Sequence, residues 1–381
     1  MKDIKTQLVH GGEPETLIEG AVCMPVFQSA TFEYSGEGSY HDVRYIRLNN
    51  TPNHTVLHKK LALLERGEAA LVLASGMAAI STALLSTLKA GDHLLAQNTL
   101  YGGTHGLLTK ELKNFGIDYD FIDLDRGESW ARYLKPNTKA IYVESISNPL
   151  MQVGNLEAVV EFAKNNNLVS LIDNTFTGPY NFCPLPLGFD LSLHSCTKSL
   201  NGHSDIVAGA IIGSRKFIDL CAEKAAHLGG SLDPHACFLL HRGIKTLALR
   251  MDYQNRLATE IAAFLASHPA VEKVNYPGLK SHPHYDRAQK LFRGCGGVLS
   301  FEIKGGIAAA TAFTNKVKLS VSAPSLGGVE SLVTCPVHTS HAGLSADERQ
   351  AAGISPGLVR VSLGIEAAED LKADFNQALD S

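Results

Sequence analysis

The stretch Leu191-Ser192-Leu193-His194-Ser195-Cys196-Thr197-Lys198 reads as a strand that runs into a polar turn. It delivers two hydroxyls, Ser195 and Thr197, and the amine of Lys198 to one place, with Gly202, His203 and Ser204 just beyond. A lysine at a strand end in a closed pocket can lose its proton, because desolvation disfavours the ammonium. The neutral amine can then form an imine with an aldehyde, and the two hydroxyls can hydrogen-bond a phosphate. The plainer reading of the same residues is a surface lysine in a polar turn.

Outward from this stretch, short apolar runs alternate with helical patterns between about residues 54 and 215. Strands are expected at 70–74, 93–96, 119–122, 140–144, 168–172, 191–194 and 208–212, with helices between them such as 77–89, 103–115 and 156–166. Strand, helix, strand at this spacing predicts a mainly parallel seven-stranded sheet covered by helices on both faces. Sites in such sheets form at the carboxyl ends of the strands. Beyond residue 241 the pattern changes. A long helix over 241–268 is followed by strands at 271–276, 297–302, 318–321 and 360–363 and by helices at 307–314, 345–352 and 367–379. The expected division is an N-terminal arm (1–50), a large α/β domain (51–245) and a smaller α+β C-terminal domain (246–381). The arm lacks strong periodicity, carries turn formers (Gly11-Gly12, Pro14, Gly36-Glu37-Gly38), and ends where a helix can begin after Pro52.

The 381 residues carry a net charge of −4, a pI near 6.5, 45% apolar and 19% charged residues. Such a chain can bury a sizeable core and gives no bulk signal for nucleic acid or an anionic membrane. The N-terminus MKDIKTQLVHGGEPE has no apolar core of signal-peptide length. Apolar stretches are interrupted well before the ~20 residues a membrane span needs. Cys23, Cys183, Cys196, Cys221, Cys237, Cys295 and Cys335 form no CxxC pair, which fits reduced thiols and a cytoplasmic location.

Three further segments fall at expected strand ends. Ser75-Gly76-Met77 starts a helix, whose free N–H groups can bind phosphate while Gly76 permits close approach; a plain N-cap by Ser75 explains it equally. Asp173 ends an apolar strand, where a carboxylate can keep a pyridine nitrogen protonated, or merely cap a turn. Tyr101-Gly102-Gly103 offers a ring able to lie flat on an aromatic cofactor, or is an ordinary loop. Together they supply a phosphate cradle, a ring partner, a stacking ring and an imine-forming lysine at one edge of one sheet.

At these residues the chain resembles the Cys/Met-metabolism family of pyridoxal 5'-phosphate (PLP) enzymes, over nearly its whole length from about Thr6 to Leu379. Ser195-Cys196-Thr197-Lys198-Ser199-Leu200-Asn201-Gly202-His203-Ser204-Asp205 resembles the family signature around its cofactor lysine, and Ala323-Pro324-Ser325-Leu326-Gly327-Gly328-Val329-Glu330-Ser331-Leu332 is equally specific. The resemblance implies an α/β PLP-dependent transferase fold of the aspartate-aminotransferase type. It implies Lys198 as Schiff-base lysine and proton carrier, Asp173 at the pyridine nitrogen, Tyr101 stacked on the ring and assisting as acid or base, and Gly76, Met77, Ser195 and Thr197 at the phosphate. Tyr45 and Arg47 match a Tyr-x-Arg pair that reaches the phosphate of a neighbouring subunit. Asn148, Ser325 and Arg360 would meet the substrate α-carboxylate, a guanidinium fork suiting that task. A homotetramer built from dimers is implied as well.

The expected activity is a carbon–sulfur lyase that eliminates the γ-substituent of methionine, homocysteine or cystathionine, giving a 2-oxo acid, ammonia and a thiol. γ-Replacement (as in cystathionine γ-synthase or O-acylhomoserine sulfhydrylase) and cystathionine β-lyase activity share the early steps. Members that process cystathionine usually carry an Arg five residues after the stacking Tyr and a Glu just before Ser-Leu-Gly. Gly106 and Pro324 stand there, which favours a substrate with a short, neutral far end. Gly103 cuts the other way, since methionine γ-lyases often carry a Cys at that place. His338, His341, His282 and His284 lack a matching Cys/His pair at finger spacing, so no metal is expected. A non-catalytic scaffold would have lost the lysine, ring partner or clamp, and a dinucleotide-dependent dehydrogenase would show GxGxxG after the first strand; neither pattern holds.

Overall fold

The computed structural model describes residues 3–34, 36, 43–343 and 345–380. Glu37 and Gly38, read above as turn formers, lie outside them. The apolar runs form seven strands: β1 (Ala69–Leu73), β2 (His93–Gln97), β3 (Asp118–Ile122), β4 (Thr138–Glu144), β5 (Val169–Asp173), β6 (Leu191–Ser195) and β7 (Gly209–Gly213). Their order in one sheet is β1-β7-β6-β5-β4-β2-β3. Strands β2 to β6 run parallel, whereas β7 is antiparallel to both β1 and β6. The reversal sets the amino end of β7 between the carboxyl ends of its neighbours, and Gly209 pairs with Leu73 on one side and Ser195 on the other.

Both faces of the sheet are covered, which is why its strands read as near-continuous apolar runs. Leu71, Leu73, Leu171, Leu191 and Leu193 pack under Ala79, Ile80, Ala83 and Leu84 of the helix Gly76–Thr87. Val72, Ala210 and Ile212 face the other way, against Leu57, Leu61 and Leu64 of the helix Pro52–Glu65. That helix begins at Pro52, as read.

The C-terminal part holds a five-stranded sheet of β8 (Val271–Asn275), β9 (Val298–Ile303), β10 (Val321–Ser322), β11 (Leu332–Thr334) and β12 (Leu358–Ser362), in the order β10-β11-β12-β9-β8. One continuous core joins the two sheets: Ile141, Val143 and Ile172 of the first sheet pack with Leu257 and with Leu299, Phe301 and Val361 of the second. This puts β12, and with it Arg360, within reach of the first sheet's strand ends.

Three expectations need correction. The single helix over 241–268 is two helices, Pro234–Ile244 and Leu247–Ser267. At the break the Gly243 carbonyl takes the Thr246 N–H at 3.2 Å in a tighter turn and the Arg250 guanidinium at 2.8 Å, while Arg250 also donates to the Ser199 carbonyl at 2.7 Å. The arm is not wholly irregular: Ile4–His10 is a helix, N-capped by Asp3 through the Lys5 N–H, with Leu8 buried. The strand expected at 318–321 shrinks to β10, because the Asp374 carboxylate takes the N–H groups of Lys318, Leu319 and Ser320.

Candidate active site

The strand ends of the first sheet open into a cavity of about 660 Å³, lined by Ser75, Gly76, Met77, Tyr101, Asn148, Asp173, Ser195, Thr197, Lys198 and Arg360 among others. Nine of the residues singled out in the sequence therefore share one space: Gly76, Met77, Tyr101, Asn148, Asp173, Ser195, Thr197, Lys198 and Arg360. Ser325 joins them through its hydroxyl, which accepts from Lys198 Nζ at 3.0 Å.

The floor is built by close backbone approach. Ser75 caps the helix Gly76–Thr87, its Oγ accepting from the Ala78 N–H at 2.9 Å. A Cβ on Gly76 would lie 2.7 Å from Ser195 Cβ, and one on Gly209 only 2.0 Å from the Ser75 carbonyl oxygen, so β1, β7 and β6 meet here only because both positions are glycine. The Ser195 N–H donates to Thr175 Oγ1 at 2.8 Å. The Thr197 hydroxyl accepts from the Ala208 N–H at 3.0 Å and donates to the Ala208 carbonyl at 3.3 Å.

Two charged groups define the far side. Burial, then the charge of Arg360, pulls the Lys198 ammonium down to about 8. Arg360 is itself buried, and burial pulls it down to about 10. Its Nη1 donates to Asn148 Oδ1 and its Nη2 to the Ser325 carbonyl, both at 3.1 Å, while its Nε is buried without a partner. The Ser-Leu-Gly-Gly motif fits against the lysine turn: Gly327 has φ +78°, and a Cβ there would come within 2.5 Å of Ser199 N. Arg250, unnoticed in the sequence, fastens the same turn from below through the Ser199 carbonyl.

Asp173 closes β5 with Oδ1 accepting from the Thr175 N–H at 2.9 Å and Oδ2 facing the Tyr142 hydroxyl at 3.5 Å. Burial raises its pKa, opposed by these donors and by His194. Tyr101 stands over the opening, 41% exposed. Glu144 was also missed. It ends β4 as Asp173 ends β5, the same signature of an apolar strand closing on a carboxylate, and it lines the cavity.

Tyr45 and Arg47 do not line the cavity of their own chain. Arg47 Nη1 donates to the Ala226 carbonyl at 2.8 Å and its guanidinium lies 5.6 Å from the Tyr45 ring centre. Of the histidines weighed as metal ligands, His341 bonds to Ser340 and Leu100, and His284 to Val153 and Asp125. Among the described residues no group of three His, Cys, Asp or Glu side chains is placed to hold a metal ion.

The residues suit a phosphorylated aldehyde with a protonatable ring. A glycine-lined floor at a helix N-terminus, a half-buried amine lowered to about 8 and a half-buried carboxylate stand around one cavity, and Arg360 keeps an unpaired N–H. These features define a PLP-dependent enzyme on a doubly covered α/β sheet. Residues 5–380 match the model of the family described as Cys/Met metabolism PLP-dependent enzyme, and the chain belongs to that family. Its cofactor is pyridoxal 5'-phosphate. The chain is 41% identical to the cystathionine gamma-lyase of Bacillus subtilis, over 99% of each chain. It is 41% identical to the L-methionine gamma-lyase of Treponema denticola, over 98% of this chain and 95% of that protein. The crystal structure of cystathionine gamma-lyase from Lactobacillus plantarum complexed with L-serine superposes with a TM-score of 0.95 at 36% identity, covering 100% of this chain and 99% of that one.

Proposed function

We propose that this protein is a carbon–sulfur lyase that eliminates the γ-substituent of a small sulfur amino acid, releasing a 2-oxo acid, ammonia and a thiol. The observation that carries the reading is the linkage from the amine to the guanidinium: Lys198 Nζ to Ser325 Oγ at 3.0 Å, and the Ser325 carbonyl to Arg360 Nη2 at 3.1 Å. An amino acid gripped by Arg360 through its carboxylate is thereby set beside the one lysine of the cavity lining.

Bound PLP supplies the electron sink that lets an amino-acid Cα proton leave. In this reading Lys198 would hold the cofactor through its amine and, when free, would carry the substrate's Cα proton on Nζ. Asp173 would meet the ring nitrogen and supply the carboxylate that keeps it protonated. Tyr101 would cover the ring and assist proton transfer at the β and γ positions. Gly76, Met77, Ser195 and Thr197 would hold the phosphate, with the Thr197 hydroxyl shared with Ala208. Asn148 and Ser325 aim Arg360 at the carboxylate.

The substrate's far end is read from the remaining wall. Val207, Pro324, Leu326, Thr339 and Ser340 carry no charge, and His338 is the one titratable group among them. A zwitterionic far end would be desolvated there without a counter-charge. Methionine, homocysteine or an acylated homoserine avoids that cost. The reading extends to a cytoplasmic homotetramer built from dimers, with Tyr45 and Arg47 serving the neighbouring subunit and a division at 1–50, 51–245 and 246–381. Among the described residues no helix is long and apolar enough to cross a membrane.

The test is kcat/KM for L-methionine, L-homocysteine and L-cystathionine under one set of conditions, following 2-oxo acid release. The two smaller substrates are expected to lead. A tenfold preference for cystathionine, about 1.4 kcal/mol in the transition state, overturns the neutral-wall argument.

A further inference from the structure

Two carboxyl groups enter the cavity side by side. Glu144 and Asp173 are register partners on the parallel strands β4 and β5, so their side chains leave the same face of the sheet. Asp173 has its task in the reading above. Glu144 has none, yet it is 4% exposed, lines the cavity, and accepts the Tyr101 N–H at 2.7 Å on Oε1. Its own N–H is held by Gln97 Oε1 at 2.9 Å, which fixes the strand end on which it stands.

We propose that Glu144 is a positioning residue for this site: it holds the loop of Tyr101 at the height of the cofactor ring and, as the uncharged member of the carboxyl pair, leaves Asp173 the one carboxylate the ring nitrogen meets. The proposal rests on the PLP reading of the cavity.

The division of charge follows from the surroundings of each group. Adjacent buried carboxyls repel when both ionise, so one keeps its proton. Asp173 has the Thr175 N–H and the Tyr142 hydroxyl as donors and His194 behind it. Glu144 has only backbone N–H groups, from Tyr101 and Asn148; burial and the charge of Asp173 hold its carboxyl well above the ordinary carboxylate range. The other ionisable side chains lining the cavity are Tyr101, Lys198, His338 and Arg360, and Glu144 is tied to them only through the Tyr101 main-chain N–H. A neutral carboxyl still accepts the Tyr101 N–H through its carbonyl oxygen. The single link from Glu144 to Tyr101 therefore does not need the negative charge.

The experiment uses purified holoenzyme as wild type, Glu144→Gln and Glu144→Ala. The infrared difference spectrum of wild type minus Glu144→Gln at neutral pH is expected to contain the C=O stretch of a protonated carboxyl. Carboxylate stretches alone overturn the proposal. Glu144→Gln keeps the acceptor and the neutral charge, so it should keep kcat/KM within about threefold and the same pH dependence of the visible cofactor absorption. Glu144→Ala removes the acceptor and should lose about tenfold or more in kcat/KM, with an altered cofactor spectrum. Glu144→Gln as impaired as Glu144→Ala, or Glu144→Ala equal to wild type, also overturns it. Failure of the PLP reading is distinguished by wild-type protein that shows no visible cofactor absorption; the infrared band still reports the proton on Glu144.

Discussion

Arg360 Nη2 donates to the carbonyl of Ser325 at 3.1 Å, and Ser325 Oγ receives Lys198 Nζ at 3.0 Å, so a single residue couples the buried guanidinium to the amine. With Asn148 Oδ1 on Nη1, the fork of Arg360 is held flat from two sides. Arg360→Lys keeps a charge but loses the fork. It should raise KM for the amino acid by about 30- to 100-fold, roughly 2–3 kcal/mol, while the visible cofactor band of the purified protein stays. Steady-state kinetics beside an absorption spectrum read both, and an unchanged KM removes Arg360 from the carboxylate site.

The same coupling sets a pH dependence. Burial and Arg360 lower Lys198 to about 8 from an ordinary value of 10.5. The unfolded chain therefore binds that proton more tightly than the folded one. Between about pH 8 and 10.5 this group makes the cofactor-free protein more stable as pH rises. Only the neutral amine reacts with an aldehyde, so cofactor capture should speed up through about pH 8. Arg360→Gln removes a positive charge that depresses Lys198 and should move this midpoint upward. Growth of visible absorption after adding PLP at a series of pH values measures it; a midpoint that stays or falls contradicts the coupling.

Gly209→Ala should damage the proposed phosphate end of the cavity without removing any polar group. The new Cβ would sit 2.0 Å from the Ser75 carbonyl oxygen, a backbone atom that cannot swing aside as a side-chain tip does. The Ser75-Gly76 turn has to move away from Ser195. The expected loss is about 1–3 kcal/mol of stability, as for other overpacked sites, together with a weaker hold on PLP. Thermal melts with and without the cofactor, and equilibrium dialysis, check both; wild-type values in both assays would show that the turn is not held by β7.

Much of this was legible before any coordinates. The seven strands of the first sheet read well because they are buried on both faces, and Leu71, Val72 and Leu73 are apolar whichever way they point. The strand-end residues stood out as a set: Asp173 or Ser195 alone also reads as part of a turn, but several such residues fall at the carboxyl ends of one sheet and line one cavity. What failed to read depends on distant contacts. At the break before Leu247, Arg250 reaches back to Gly243 and across to Ser199; Gly243 was a local sign of it, but the link to Ser199 was not visible in 241–268. The short β11 is only three residues, too few for a period. Glu144 carried the same local signal as Asp173 but no assigned task drew attention to it. Gly209 is informative only once β7 is known to run antiparallel between β1 and β6.

The arm makes a prediction about assembly. Tyr45 and Arg47 lie outside the cavity of their own chain, and Arg47 instead meets Ala226. If they serve a neighbour, an Arg47→Ala subunit and a Lys198→Ala subunit fail for different reasons. Mixing the two after dissociation and reassembly should restore part of the wild-type activity, because some sites then combine an intact Lys198 with an intact Arg47. Confirmed hybrids without recovered activity would place the pair outside the site.

The central claim is that Lys198 is the residue that holds the cofactor, and reductive trapping tests it directly. Purified protein treated with borohydride, digested and analysed by mass spectrometry should carry one phosphopyridoxyl group, on the peptide containing Lys198, and Lys198→Ala protein should carry none. A label on another lysine, or unlabelled Lys198 in protein that retains bound cofactor, would contradict the account.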